Sequence, residues 1–470
     1  MNTFIYRTRI EISAEDVFAW HERPGAFERL RPPWERVRVL ERSGGIRDGA
    51  RMTLDIPFGP FRRRWILERR DYEKGRSFRD VQIDGPFAHW DHLYLFEPDG
   101  SSACFLEDRI EYALPFGALG KIVGEQLAQK KLRRLFGYRH AVAAGDLEFH
   151  SRHLRRSLKI LVTGASGLIG SQLVPFLTAA GHDVFMLTRA PSSENNRCIH
   201  WNPAAGELDL SRLEGFDAVI HLAGENIAGR WTPEKKRRIR DSRVEGTRFL
   251  CQSLARLPNP PKVLVCASAI GYYGDCGEEA VDETSSQGEG FLAQVVGEWE
   301  EAAAAARSAG MRTVHLRFGV VLTPAGGALA PMLTPFRLGL GGAIGDGRQY
   351  MSWIALDDAL GVILHCLMTD SLAGPVNAVS PRPADNCEFV RTLGKVLHRP
   401  AILPLPAFAV RLLFGEMGEE LLLSGVRAIP AQLQKSGFVF RHENLEAALC
   451  FLLGKKRGKG ENDLRSTFFI

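Results

Sequence analysis

Thr163-Gly164-Ala165-Ser166-Gly167-Leu168-Ile169-Gly170 decides how this chain is read. The three glycines, spaced by three, follow an apolar run at Lys159–Thr163 and open a helical stretch at Leu168–Ala180. At such a turn the first glycine permits a sharp bend, and the second lets a pyrophosphate approach the backbone. The third lets helix and strand close together, and the phosphates sit at the positive end of the helix. Thr163, Gly164, Ser166, Gly167, Leu168, Ile169 and Gly170 are therefore the expected cofactor contacts. The next strand, Asp183–Thr188, ends at Arg189, where an acidic residue would take a ribose 2′-hydroxyl. A cation there suits a 2′-phosphate, so NADP(H) is expected over NAD(H). A later strand ends in His221-Leu222-Ala223-Gly224, whose Leu222, Ala223 and Gly224 offer a surface for a nucleotide.

Outward from this turn, strand and helix alternate: Ala218–Leu222, Pro233–Arg256, Val263–Ala267, Gly290–Ser308 and Arg312–Arg317. That alternation means a parallel sheet covered on both faces, a Rossmann-like doubly wound α/β fold. Toward the N-terminus the period changes to two. Short alternating runs at Thr3–Ile12, Val37–Leu40, Arg51–Ile56, Trp65–Asp71, Ser77–Ile83, Ala88–Phe96 and Ala103–Tyr112 are separated by turn signals such as Pro57–Pro60 and Pro98-Asp99-Gly100. They read as an antiparallel meander. Helices are expected after Ser13, over Ala14–Trp20, and from about Leu119 to Ala144. The domains expected are 1–150, a linker at 151–158, 159–402, a small helical domain at 403–455 and a charged tail at 456–470.

With 470 residues, 45% hydrophobic and 24% charged, the chain has globular proportions and room for two or three domains. No run approaches the roughly 18 apolar residues of a membrane span. The first residues carry no basic stretch before an apolar one, so no secretory signal is expected. Eight cysteines without a Cys-x-x-Cys pair argue for free thiols and against a metal site. The expected location is cytoplasmic. Residues 1–158 hold 28 Lys+Arg against 23 Asp+Glu, while the remainder balances at 32 each. Nothing resembles a nucleic-acid module, and solvated faces account for the surplus.

Further stretches carry a family resemblance. HLAGENIAGRWT at 221–232, DSRVEGT at 241–247, ASAIGYYGD at 267–275, GEGFLAQVVGEWE at 288–300 and GRQYMSWI at 347–354 resemble the atypical extended short-chain dehydrogenase/reductases called epimerase family proteins. PAFAVRLLFGEM at 406–417 is similar to that family's C-terminal domain of unknown function. FRDVQIDGPFAHWDHLYLFEPDG at 78–100 and DRIEYALPFG at 108–117 resemble the START-like (SRPBCC) helix-grip superfamily. That resemblance implies an α+β domain with an apolar ligand between a curved sheet and a long helix. The epimerase-like resemblance implies redox or epimerase chemistry on a small carbonyl or sugar-nucleotide substrate.

The chemistry that the family implies is incomplete. Such enzymes use a Tyr acid/base with a Lys four residues on, and none of the eight tyrosines here has that partner. Phe291 and Val295 stand on the helix where the dyad is expected, and neither transfers a proton. Ser268 stands where the catalytic Ser is expected, with a register open by one residue, and Tyr272 or Tyr273 is the alternative acid. Glu225, Asn226 and Arg317 are candidate substrate contacts. Glu225 and Asn226 could equally form a turn, and Arg317 and Arg243 could equally pair with carboxylates. The rival reading is a non-catalytic NADP(H)-dependent binding or regulatory protein.

Overall fold

The N-terminal half alternates apolar and polar residues, and the computed structural model builds it into one seven-stranded antiparallel sheet. The structure describes residues 1–58, 61–115, 117–153, 156–190 and 197–455. In spatial order the strands are Asn2–Ile10, Ala103–Ala113, His89–Asp99, Ser77–Asp84, Phe61–Glu73, Arg51–Phe58 and Arg38–Arg42. All seven expected strands are present, and the first closes against the last. Ser13 caps the Ala14–Glu22 helix, its hydroxyl accepting from Asp16 N–H. The long helix runs from Gly117 to His153, nine residues beyond its expected end, so the stretch read as a linker begins inside it. Residues 154–155 of that linker, the 456–470 tail and the end of the Pro57–Pro60 turn lie outside the described residues.

Phe78, Trp90 and Phe96 fill the core of this half. Trp65 and Phe87 pack on Trp90 at ring distances of 5.1 and 4.7 Å. Phe105 instead faces outward beneath the Arg7 guanidinium, 4.2 Å from its ring centre. His89 and His92 lie on opposite faces of their strand, and only His92 is buried. The His92 Nε2–H donates to Asp108 at 2.5 Å, and His140 on the long helix pairs with the other oxygen of the same carboxylate. Arg29 and Asp146, both buried, form a second pair with contacts of 2.7 and 2.9 Å.

From Lys159 the expected alternation yields an eight-stranded sheet. Its order is Glu207–Leu208, Cys198–Asn202, Asp183–Thr188, Lys159–Thr163, Ala218–His221, Val263–Ala269, Arg312–Phe318 and Gly374–Ala378. All neighbours are parallel except the first pair. The order reverses between Lys159–Thr163 and Ala218–His221, and ligands bind beyond the strand ends at such a switch point. The expected Gly290–Ser308 helix is two, Phe291–Glu301 and Ala304–Ser308. Trp353 is wholly buried in a core with Phe389, Leu393 and Leu449, which packs it against the helices Asn386–Leu397 and Leu445–Leu452. Asp357 and Asp358 stand in the first turn of a helix, and Asp358 accepts from the N–H groups of Arg441 and His442 at 2.7 and 3.0 Å.

The chain divides into two compact units, one mainly Met1–Arg152 and the other mainly His153–Leu453. Among the described residues no helix is long and apolar enough to cross a membrane, and no cluster of His, Cys, Asp and Glu could hold a metal.

Candidate functional site

Three strand ends meet at the switch point: the glycine turn after Thr163, Arg189 after Thr188, and Leu222–Glu225 after His221. The turn needs its glycines for distinct reasons. Gly164 has φ +69°, and a Cβ there would lie 2.7 Å from the Leu222 carbonyl carbon. At Gly170 a Cβ would lie 2.2 Å from the Gly164 oxygen and 2.8 Å from Ala165 Cα, a backbone clash nothing can relieve. Ser166 and Gly167 are exposed, whereas Gly170 is buried and packs the turn against itself. Among the described residues the N–H groups of Ser166, Leu168 and Ile169 have no protein acceptor. Free donors at the start of the Gly170–Ala180 helix make a cradle that fits a pyrophosphate.

Thr163 is a correction. It is wholly buried, and its hydroxyl accepts from the N–H groups of Leu222 and Ala223, both at 3.1 Å, while also bonding His221 Nδ1 at 2.7 Å. It holds two strand ends in register and has no face for a ligand. His221 in turn bonds Thr247 at 2.9 Å, and burial pulls its imidazole down to about 4.

Arg189 is exposed at the end of its strand, within electrostatic reach of Glu225. Glu225 is gripped by Lys235 at 2.7 Å, with Arg238 at 3.7 Å, and these cations hold its carboxyl below the usual range. The helix beneath places both cations: Thr232 caps it, Pro233 occupies its first turn, and positions 235 and 238 share one face. The Asn226 side chain accepts from Ala228 N–H at 2.9 Å, which makes it an Asx turn.

Ser268, Tyr273 and Arg317 are brought together, but into a closed network. Ser268 Oγ donates to Glu300 at 2.6 Å. The Arg317 guanidinium donates to both oxygens of Glu300, at 2.8 and 2.9 Å, and to the Tyr273 hydroxyl at 3.0 Å. Tyr273 donates to Asn377 at 2.7 Å, and burial pushes its hydroxyl up to about 12. These bonds occupy the Ser268 hydroxyl, and they give Arg317 the second of its two expected roles, pairing with a carboxylate. Ser268 points inward and its half-exposed neighbour Ala269 faces the other way; Tyr273 is the wrong acid near neutral pH; Arg317 is already neutralised. Tyr272 alone, half-buried, has no hydroxyl partner among the described residues, and its ring is covered by Arg317 at 3.5 Å. Val295 is buried, and Phe291 packs between Trp231 and the Lys236 ammonium. Sequence reasoning missed Glu300 because it lies on a helix and its partners lie on two strands distant in sequence.

Comparison with known proteins places these features. The family described as NAD dependent epimerase/dehydratase matches residues 160–377. A domain of unknown function (DUF1731) matches 405–452, and the family described as polyketide cyclase / dehydrase and lipid transport matches 10–136. An epimerase family protein of Mycobacterium bovis is 45% identical over 292 residues, 62% of this chain and 96% of the relative. The human epimerase family protein SDR39U1 is 39% identical over 298 residues, 62% of this chain and 98% of its own. Its crystal structure, solved with NADPH, superposes with a TM-score of 0.58 over 62% of this chain and 98% of that one. The structure of a nucleoside-diphosphate sugar epimerase from Corynebacterium glutamicum covers 96% of this chain and 90% of its own, at 30% identity and a TM-score of 0.79.

Proposed function

The chain belongs to the epimerase family, as an NAD(P)-binding protein carrying the domain of unknown function and an N-terminal polyketide cyclase-like domain, and from that premise we propose that it binds NADP(H) and uses it in hydride chemistry on a small carbonyl or sugar-nucleotide-like substrate. One observation carries the cofactor reading: the glycine turn with its free N–H groups stands beside an exposed cation, Arg189, on the adjacent strand end. A relative at 37% identity crystallised with NADPH supports the same choice. In this reading Ser166, Gly167, Leu168 and Ile169 hold the pyrophosphate, Arg189 takes the 2′-phosphate, and Leu222, Ala223 and Gly224 form the wall. The bound dinucleotide supplies the hydride. Tyr272, its ring 3.5 Å from the Arg317 guanidinium, is the side chain left to move a proton.

A second reading has its own observation. With Phe291 and Val295 at the dyad positions and Ser268 turned inward, the site suits a cofactor-dependent binding or regulatory protein. NADPH oxidation against a panel of aldehydes, ketones and nucleotide sugars separates the two. Turnover that falls about a hundredfold or more in Tyr272→Phe supports catalysis. Tight NADPH binding with no turnover on any class supports the second reading.

In the N-terminal domain we propose an apolar ligand, on the strength of the helix-grip order of elements and the matched family.

A further inference from the structure

Of the two arginines placed near the strand ends, Arg317 is neutralised by Glu300 and Arg243 is not. Arg243 Nη1 donates to the backbone oxygens of Glu225 at 3.0 Å and Ile239 at 3.2 Å. Among the described residues no carboxylate lies within ion-pair distance of it, and its Nε and Nη2 have no protein acceptor. One face of the guanidinium lies toward the Trp299 ring, 5.2 Å from its centre. The group also lies under Gly224, where a Cβ would stand 3.4 Å from Cζ. Trp299 and Gly224 thus pack on the group, and Nε and Nη2 are the donors left unused. Burial pulls its pKa down to about 10, the mark of a cation short of counter-charge.

Beside it, Glu225 holds Lys235 and approaches Arg238 through its carboxylate, and its own N–H donates to Ser242 at 2.9 Å. Three cations therefore converge on the end of the Ala218–His221 strand, and one protein carboxylate stands among them. This strand lies on the far side of the switch point from Arg189, where the half of a dinucleotide distal to adenosine would lie.

We propose that Arg243 and Lys235 form a phosphate site, and that the Glu225 carboxylate, which holds Lys235 in the free protein, is a neighbouring anion that the ligand displaces from it. It rests on the nucleotide reading given above and adds to it a second anion site, separate from Arg189. The phosphate comes either from the cofactor's pyrophosphate or from a phosphorylated substrate. Guanidinium edge donors suit either source, because they bind phosphate oxygens in pairs.

Affinities of the full chain for three probes test the site: NADPH, adenosine 2′,5′-bisphosphate, and uridine diphosphate with NADPH saturating. Removing the neighbouring charge in Glu225→Gln tightens NADPH or uridine diphosphate about three- to tenfold, a gain that loss of folding cannot imitate. Arg243→Gln weakens the same probe about tenfold or more, and the bisphosphate, which lacks a pyrophosphate, is unchanged in both. Tightening toward NADPH assigns the pyrophosphate as source; tightening toward uridine diphosphate alone assigns the substrate. Should Arg243→Gln fail to fold, Glu225→Gln decides alone. Unchanged or weaker binding of both probes by Glu225→Gln, with Arg189-dependent NADPH binding intact, overturns the phosphate site only. Failure of the wild type to bind any probe overturns the nucleotide reading and this site with it.

Discussion

Glu300→Gln removes the charge at the centre of the polar network that displaced the expected catalytic residues. In the wild type the carboxylate accepts three hydrogen bonds, one from Ser268 and two from Arg317, whose side chain is only 3% exposed. Gln keeps one acceptor, so Arg317 retains its buried charge with the Tyr273 hydroxyl and two aromatic rings as company. Breaking one side of a buried pair costs about 3–5 kcal/mol. The unit that contains it has about 300 residues. At roughly 2.1 cal/mol/K of unfolding entropy per residue, the melting point should fall by about 5–8 °C. Glu300→Met with Arg317→Met leaves no charge behind and should recover most of the loss. Ser268→Ala, which removes one hydroxyl, should cost about 1 kcal/mol. Scanning calorimetry of the full chain measures these shifts. A drop below 2 °C for Glu300→Gln, or a double variant no better than the single one, would refute the assignment of this network to structure.

Three further outcomes follow from local geometry. Gly170→Ala should lower NADPH affinity by more than tenfold because its Cβ has backbone on two sides, whereas Gly246→Ala, in an open helical position, should be neutral or slightly stabilising; titration of both variants checks this. His221 and His315, both pulled down to about 4 by burial, stay neutral in the folded unit while their unfolded forms bind protons below about 6.5. Each therefore makes stability fall by roughly 1.4 kcal/mol per pH unit as pH drops from about 6.5 to about 4, and denaturant midpoints in His221→Gln should show a shallower slope. Asp108→Asn should destabilise the N-terminal unit by about 3 kcal/mol, since it unpairs His92 and His140 together; a melting curve showing no loss would count against that network.

Much of this architecture was legible because period and turn chemistry are local. The seven N-terminal strands and the glycine turn each announce themselves within ten residues. What escaped was decided by partners far away in sequence. A one-residue shift on a strand exchanges its faces, so Ser268 and Ala269 differ in everything that matters, and only the position of Glu300, 32 residues on, shows which way Ser268 turns. Thr163 sits in the right motif, but its hydroxyl is consumed 59 and 60 residues later by Leu222 and Ala223. Arg189 and Arg317 look alike in sequence; one is exposed at a strand end and the other is buried against a carboxylate. The Asp108 pairing with His92 and His140 left no local signal, since its members come from two strands and a helix.

The central claim is NADP(H) recognition through Arg189, and the affinity ratio of NADPH to NADH tests it most directly, in the wild type and in Arg189→Glu. One charge-assisted phosphate contact is worth about 1.5–3 kcal/mol, so the wild type should prefer NADPH by roughly ten- to a hundredfold, and Arg189→Glu should erase or invert that preference while leaving NADH binding intact. Equal affinity for the two nucleotides in the wild type, or a preference that survives Arg189→Glu, would contradict it.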